Sequence, residues 1–592
     1  MKHPVASVLL TWLAAALCHA EVQVTPPPAL PWSGASEALI AAEDDPWITP
    51  AEQASFATTP SYSDTRRYLE RLVEESPLLT LEPFGTSAEG RELYYVRARP
   101  RKAEAPRPVV LIQAGIHAHE IDGKDAGLML LRDIALRGKE ALVATVDFVF
   151  VPIYNVDGHE RRATLNGPHL RGPGLRGMRD TAQAINLNRD YAKADAPETR
   201  AMLKLIRALD PVLYIDVHVS DGFDHAYDVT YTYAGWGHHV LSPTISEWLT
   251  GPFETQVNAH LRSQGHNPHF YPAALDGRDL TKGLRVSAEG PRWSTGYGDH
   301  RRMPTVLVEM HHLKPYRQRV LGAYHLMEGA LRAASDQLPA LQTAIATDRA
   351  ARPKQLPVGW ERDTEPFKTI PFEGVAYETF ESPASGRSER RFLGRTESWT
   401  MPVTGQHPTM QLTLPRAWWV PASEQEALEL LALHGIEFER IKAPRTLDLD
   451  TVRFSELGFD PVKDTRVRMT GTAVHVLERV TLPKGSARVP FDQDLGLLAA
   501  GLLEPEAIDS LFAWGFFPEM TQPHGDLDAL ESAPLADAML AADPELRSAF
   551  EAKLSEDKAF AADPRARLAW FVARSPYADR RYRRYPIYRE VQ

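Results

Sequence analysis

Several residues with metal-binding or acid–base chemistry stand where apolar runs end in this 592-residue chain. The run VVLIQAG (109–115) leads into IHAHE, which sets His117 and Glu120 three residues apart, and VLYIDVH (212–218) ends in His218. Two imidazoles and one carboxylate make a three-ligand zinc set that leaves a coordination position open for water. TVLVEMH (305–311) presents Glu309, a carboxylate suited to taking a proton from a water activated at such a site. NLNRDY (186–191) adds Asn188 and Arg189, an amide beside a guanidinium that can grip a carboxylate with two hydrogen bonds. His-x-x-Glu alone is a weak signal in a chain with 21 histidines, and a structural ion-pair cluster is the plain alternative.

Such residues need a scaffold. The runs LYYVRA (93–98), VVLIQAG, VDFVFVPIYN (146–155), VLYIDVH and TVLVEMH alternate with amphipathic stretches such as AGLMLLRDIAL (126–136) and ETRAMLKLIRAL (198–209). That alternation predicts an α/β fold, a mixed but mostly parallel sheet flanked by helices on both faces. Ligands bind beyond the carboxyl ends of strands in open α/β sheets, where these residues stand. Ser63 or Asp64 is the expected cap of a helix carrying Tyr68, Leu69, Leu72 and Val73, and helical periodicity at Leu321–Leu341 closes the unit.

The expected order is a lead-in at 21–57, a catalytic unit at 58–346, a polar linker at 347–360 and a C-terminal accessory region at 361–592. In that last region, 410–421 and 466–482 show the period of half-buried strands, and about 497–574 reads as helical. The extension is thus β-rich and then helical.

Composition narrows the class. With 43% hydrophobic and 24% charged residues the chain is globular, which excludes disordered, collagenous and coiled-coil proteins. A net charge of −12 argues against nucleic acid or an anionic lipid surface as partner. Residues 1–20, MKHPVASVLLTWLAAALCHA, have the positive start, short apolar run and small-x-small end of a signal peptide. The expectation is an exported protein, periplasmic or secreted, without stable membrane insertion after cleavage. Cleavage would also remove Cys18, the one cysteine, so no disulfides are expected.

GIHAHE, the VDG of YNVDG (156–158), NLNRD, DVHVSDG and LVEMH, in this order, resemble the carboxypeptidase A-like zinc metallocarboxypeptidases over about residues 60–335. The resemblance implies one Zn²⁺ per chain on His117, Glu120 and His218, with Glu309 as general base. It also implies Asn188 and Arg189 as the holders of a substrate's C-terminal carboxylate. The carbonyl-polarising arginine of the family falls to Arg179, with Arg176 and Arg171 as fallbacks, and its substrate-capping tyrosine to Tyr297. The substrates implied are peptide or protein C-termini. Asn186 departs from the family pattern, which has an aspartate there to orient the first zinc histidine.

Other functions stay open on the same residues: a zinc amidohydrolase for cell-wall peptides or small acylated amino acids, or a non-catalytic peptide-binding protein. Plainer roles suit several neighbours. His119 is a lesser rival to His117, and His311 and His312 read as supporting groups. Asp221, Asp224 and His225 fit a solvated loop as well as a cleft wall, and Asn155 and Asp157 fit a turn. Arg292 reads as a structural ion pair rather than a selector of acidic side chains, and Trp418 and Trp419 as packing on a strand face.

Overall fold

The computed structural model describes residues 25–101, 106–236, 239–462, 464–522 and 528–591. The signal-peptide reading of residues 1–20 lies outside them. Among the described residues, no helix is long and apolar enough to cross a membrane.

Eight strands form the main sheet. They are β1 (Leu79–Thr86), β2 (Glu92–Ala98), β3 (Val109–Ala114), β4 (Asp147–Val151), β5 (Leu213–Val219), β6 (Val229–Thr232), β7 (Pro268–Phe270) and, after the two-residue β8 (Leu284–Arg285) of another sheet, β9 (Thr305–Met310). Their order is β1-β2-β4-β3-β5-β9-β6-β7. The four central strands β4, β3, β5 and β9 are mutually parallel, while β1–β2, β2–β4 and β9–β6 are antiparallel. Every residue of β3, β4 and β5 is buried, as continuous apolar runs covered on both faces require.

One face is covered by the helices Tyr62–Glu75, Asp122–Leu136 and Tyr316–Asp336, whose apolar residues join the sheet in one core. The first of these helices starts earlier than expected. Ser61 is the cap, accepting from the Asp64 backbone N–H at 3.1 Å, which leaves Asp64 in the first turn. The lead-in packs on the same layer, where buried Glu52 accepts from buried Arg132 at 2.6 Å.

The other face is shared. The helix Pro197–Leu209 covers part of it, and Trp418, Leu428, Leu498, Trp514 and Tyr585 from the C-terminal region complete the same core. Burying large side chains such as these stabilises by about 1.5–3 kcal/mol each, so the C-terminal region is built into the sheet's cover. The stretch 347–360 is ordered rather than open chain: the helix Leu338–Ala350 runs through its first residues, and β10 (Gln355–Arg362) takes its last with Leu356 and Val358 buried. β11 (Lys368–Ser382) and β12 (Arg387–Thr404) form a long hairpin, and the end of β12 pairs with β8 in parallel. Trp418 and Trp419 are fully buried in a six-stranded sheet, their indole N–H groups donating to Glu504 and Glu590. The C-terminal strand Tyr588–Glu590 belongs to this sheet, with Arg589 paired to Asp450 and Glu504.

Candidate active site

Because β3, β5 and β9 are parallel neighbours, their carboxyl ends open side by side. After β3 the chain turns at Gly115, whose φ of 68° lies in the left-handed region that glycine takes without strain. The turn delivers His117 and Glu120. On β5 and β9, His218 and Glu309 stand opposite each other in register.

Glu120 lies between the two histidines. Its Oε1 is 2.9 Å from His117 Nδ1 and its Oε2 is 3.0 Å from His218 Nδ1, while the two Nδ1 atoms are 3.3 Å apart. Zinc–nitrogen bonds of about 2.0–2.1 Å imply a tetrahedron with edges of ~3.3 Å. The three donors therefore fit zinc in both chemistry and spacing. The far nitrogen of each ring is braced: His117 Nε2 meets Asn186 Oδ1 at 3.1 Å, and His218 Nε2 meets Asp216 Oδ2 at 2.8 Å. An amide oxygen thus stands where the resemblance leads one to expect a carboxylate. Asp216 precedes His218 by two residues, so strand alternation alone puts both on one face. Gln113 Nε2, donating to Asp216 Oδ1 at 2.8 Å, fixes that carboxylate in turn.

The electrostatics follow from burial and pairing. Burial works to raise the Glu120 pKa, but His117 and His218 overcome it and hold the carboxyl well below its ordinary value. Burial likewise works to lower His218, and Asp216 and Glu120 raise it well above the usual imidazole value. Glu309 has no such cationic grip. Burial, opposed by His218 and reinforced by Glu120, Asp221 and Asp216, pushes it up to about 8, and its Oε2 has no hydrogen-bond partner among the described residues.

Arg179 Nη1 donates to Glu120 Oε1 at 3.1 Å from a side chain that is 43% exposed. The fallbacks are engaged elsewhere, since Arg176 donates to the Asn166 carbonyl and Arg171 to the Leu313 carbonyl. Arg189 lies over the Trp293 ring, 3.3 Å from its centroid, and donates to the Asn188 carbonyl at 2.7 Å. Burial lowers its pKa to about 10, which still leaves it a cation at neutral pH. Asn188 Oδ1 accepts from the Ser294 backbone N–H at 3.2 Å, which orients the amide. The metal-fitting trio, Glu309, Arg179, Asn188 and Arg189 all border one cavity of about 530 Å³.

Tyr297 does not belong to this group. It lies in the helix Ser294–Arg301 with its ring 1% exposed, packed against Tyr191 and hydrogen-bonded to His434 at 3.1 Å. The helix turns this residue into the core shared with the C-terminal region, so it cannot cap a substrate. Tyr271, just after β7, does border the cavity, in the electrostatic field of Glu309, Asp221 and Glu120. No motif marks it in the sequence, because only the fold brings that loop to β9.

The neighbouring polar residues sort clearly. His119 is outside the trio, with its ring 5.9 Å from that of His169. Asp224 and His225 are buried rather than solvated: Asp224 pairs with His311 and Lys314, and the His225 backbone N–H donates to His311 Nε2. Asp221 alone of that cluster borders the cavity. Asn155 Oδ1 accepts from the Gly158 N–H, closing a turn, and Asp157 accepts from Ser87. Arg292 forms an ion pair with buried Asp509 at 2.8 Å.

Residues 65–235 match the family model described as zinc carboxypeptidase. Carboxypeptidase 2 of Trichophyton rubrum is 22% identical over 485 residues, covering 77% of this chain and 83% of that protein. Carboxypeptidase Z of Gallus gallus is 27% identical over 199 residues, covering 27% of this chain and 30% of that protein. Among solved structures, a metallo-carboxypeptidase from Burkholderia cenocepacia aligns at a TM-score of 0.35 with 17% identity, over 47% of this chain and 70% of that one. Carboxypeptidase A from Helicoverpa armigera aligns at 0.36 with 18% identity, over 53% and 80%.

Proposed function

We propose, on the premise that residues 65–235 carry a zinc carboxypeptidase domain, that the chain is an exopeptidase hydrolysing the C-terminal peptide bond of peptides or proteins. The observation that carries this reading is the sharing of one cavity by a zinc-fitting donor trio, an unpaired carboxylate at Glu309 and a cationic Arg189. His117, Glu120 and His218 would hold one zinc ion. When bound, zinc supplies Lewis acidity, polarising a carbonyl and making water acidic near neutral pH.

The rest of the reaction falls to the protein's own groups. Arg189 holds the substrate's terminal carboxylate through paired hydrogen bonds, with Asn188 adding a donor from the side. That grip fixes the last peptide bond near Glu309 and restricts cleavage to chain ends. Glu309 accepts the proton of the attacking water at its free oxygen and returns it to the departing amine. Arg179 meets the negative charge that develops on the carbonyl oxygen. The signal-like sequence of residues 1–20 supports an exported activity, in the periplasm or beyond the cell.

The test uses the zinc-loaded mature chain and a peptide pool of which half is amidated, with products read by mass spectrometry. Loss of single C-terminal residues from the free peptides alone, stopped by a chelator, is the expected result. Arg189→Ala should raise KM for free C-termini and leave the amidated set untouched. Internal cuts would show an endopeptidase. Cleavage confined to cell-wall peptides or acylated amino acids would show an amidohydrolase, and no cleavage of any of these would leave a binding protein.

A further inference from the structure

The Arg189 guanidinium lies on the face of Trp293, its central carbon 3.3 Å from the ring centroid, and gives one N–H to the Asn188 carbonyl. A guanidinium held by a ring face and a carbonyl keeps its charge and its planar edge for an incoming carboxylate. The place of Trp293 therefore sets the place of that grip.

Trp293 stands in the turn that leads into the helix Ser294–Arg301, and the turn is fixed on both sides. On one side the Ser294 backbone N–H donates to Asn188 Oδ1 at 3.2 Å, tying the ring's neighbour to the arginine's neighbour. On the other, Asp509 reaches in from the C-terminal region. Its Oδ1 lies 2.8 Å from Arg292 Nε, and its Oδ2 accepts the Arg292 backbone N–H at 3.1 Å. Gly290 makes room for this carboxylate, since an added Cβ would collide with Asp509 Oδ2. Asp509 is fully buried, with Arg468 Nη1 at 3.6 Å as a second cation. Opening such a buried pair would leave a charge uncompensated, so the contact resists opening. The C-terminal region also holds the arginine's own segment. Arg466 pairs with Asp195 at 2.7 Å, and Asp190, next to Arg189, accepts the Asp195 and Ala196 backbone N–H groups at 3.1 and 2.9 Å.

We infer that Trp293 and Asp509 are positioning residues for Arg189, through which the C-terminal region sets how well a terminal carboxylate is held. The inference rests on the exopeptidase reading and goes beyond it by giving residues 361–592 a part in substrate binding. Both Asp509 oxygens are turned to Arg292, so Asp509 acts through the turn that carries the ring. Trp293 acts on the guanidinium directly.

The test uses the zinc-loaded chain with the free-acid peptide that the wild type trims fastest, and the same peptide amidated. Trp293→Leu should raise KM for the free acid by about tenfold, the scale of a cation–π contact taken out of water, with kcat changed far less. Trp293→Phe restores a ring face and should recover most of that loss. Asp509→Asn, one step further from the guanidinium, should raise KM by about three- to tenfold. Calorimetry on Glu309→Gln chains should show the free-acid to amide affinity ratio narrowing in the same order, because a general loss of structure would weaken both peptides alike. Trp293 is half-buried on the cavity wall, so its variants decide the matter even where Asp509→Asn does not fold. A ratio unchanged in the folded variants, or a fall in kcat with KM unchanged, would overturn the assignment while the exopeptidase reading stands. A wild type that trims no peptide, or binds acid and amide equally, would overturn the exopeptidase reading, and this one with it.

Discussion

Among the described residues, two clusters have two histidines and one glutamate within reach of a single ion, and they are built to different ends. In the first, His117, Glu120 and His218 meet at the carboxyl ends of parallel strands and border the cavity. In the second, His325 Nδ1 lies 3.2 Å from His260 Nε2 and 3.5 Å from Glu328 Oε2, between the helices Glu254–Ser263 and Tyr316–Asp336. Donor types and spacing nearly match, and the surroundings do not. Glu328 already takes hydrogen bonds from Lys139 at Oε2 and Arg332 at Oε1, leaving that site net positive without any ion. Around Glu120 stands a second carboxylate, Asp216, against one half-exposed arginine, Arg179, so that site is net negative with its histidines neutral. A dication is attracted to one cluster and repelled by the other. Donor geometry is therefore necessary for a metal site but does not decide one.

The sharpest way to break this comparison is metal analysis. His117→Ala should take zinc from one per chain to none and abolish turnover, while His325→Ala should keep the full zinc content. Equal loss in both would make the second cluster a metal site too. Next in size, Glu309→Gln should reduce turnover by about 10²–10⁴-fold with zinc retained, and near-normal turnover would remove Glu309 from its role. Asn186→Ala, which strips the brace from His117 Nε2, should weaken zinc by about 10–100-fold in competition with a chelator. An unchanged affinity would mean that packing alone orients the ring.

The smallest effect belongs to the second cluster. Burial works to raise Glu328, but His260, His325, Lys139 and Arg332 together hold it far below the carboxylate range. A carboxyl whose folded pKa is depressed stabilises the fold above its unfolded value near 4.5 and loses that contribution as pH falls below it. Glu328→Gln should cost about 1–3 kcal/mol at pH 7, allowing for the exposure of Arg332. In denaturant melts the deficit should shrink between pH 6 and pH 3, and a deficit that widens toward acid would contradict the assignment.

What the sequence determined by itself was local or periodic. Continuous apolar runs marked the buried strands, because a strand covered on both faces has no polar side to alternate with. His117, Glu120, His218 and Glu309 were legible because each stands at or just beyond a strand end, and adjacent parallel strands bring such ends together whatever the loops do. Arg189 was legible from its neighbours in NLNRDY. Only the tertiary structure decided what depends on contacts between distant segments. It turned Tyr297 into the core, brought Tyr271 to the cavity, set the Asn186 amide against His117 Nε2, and gave Lys139 and Arg332 to Glu328. It also set β10 and residues 501–509 against the main sheet, because the apolar face left open beside the helix Pro197–Leu209 is buried by the C-terminal region. A side chain's chemistry is written at its own position, but whether it meets water, a cation or another side chain depends on residues hundreds of positions away.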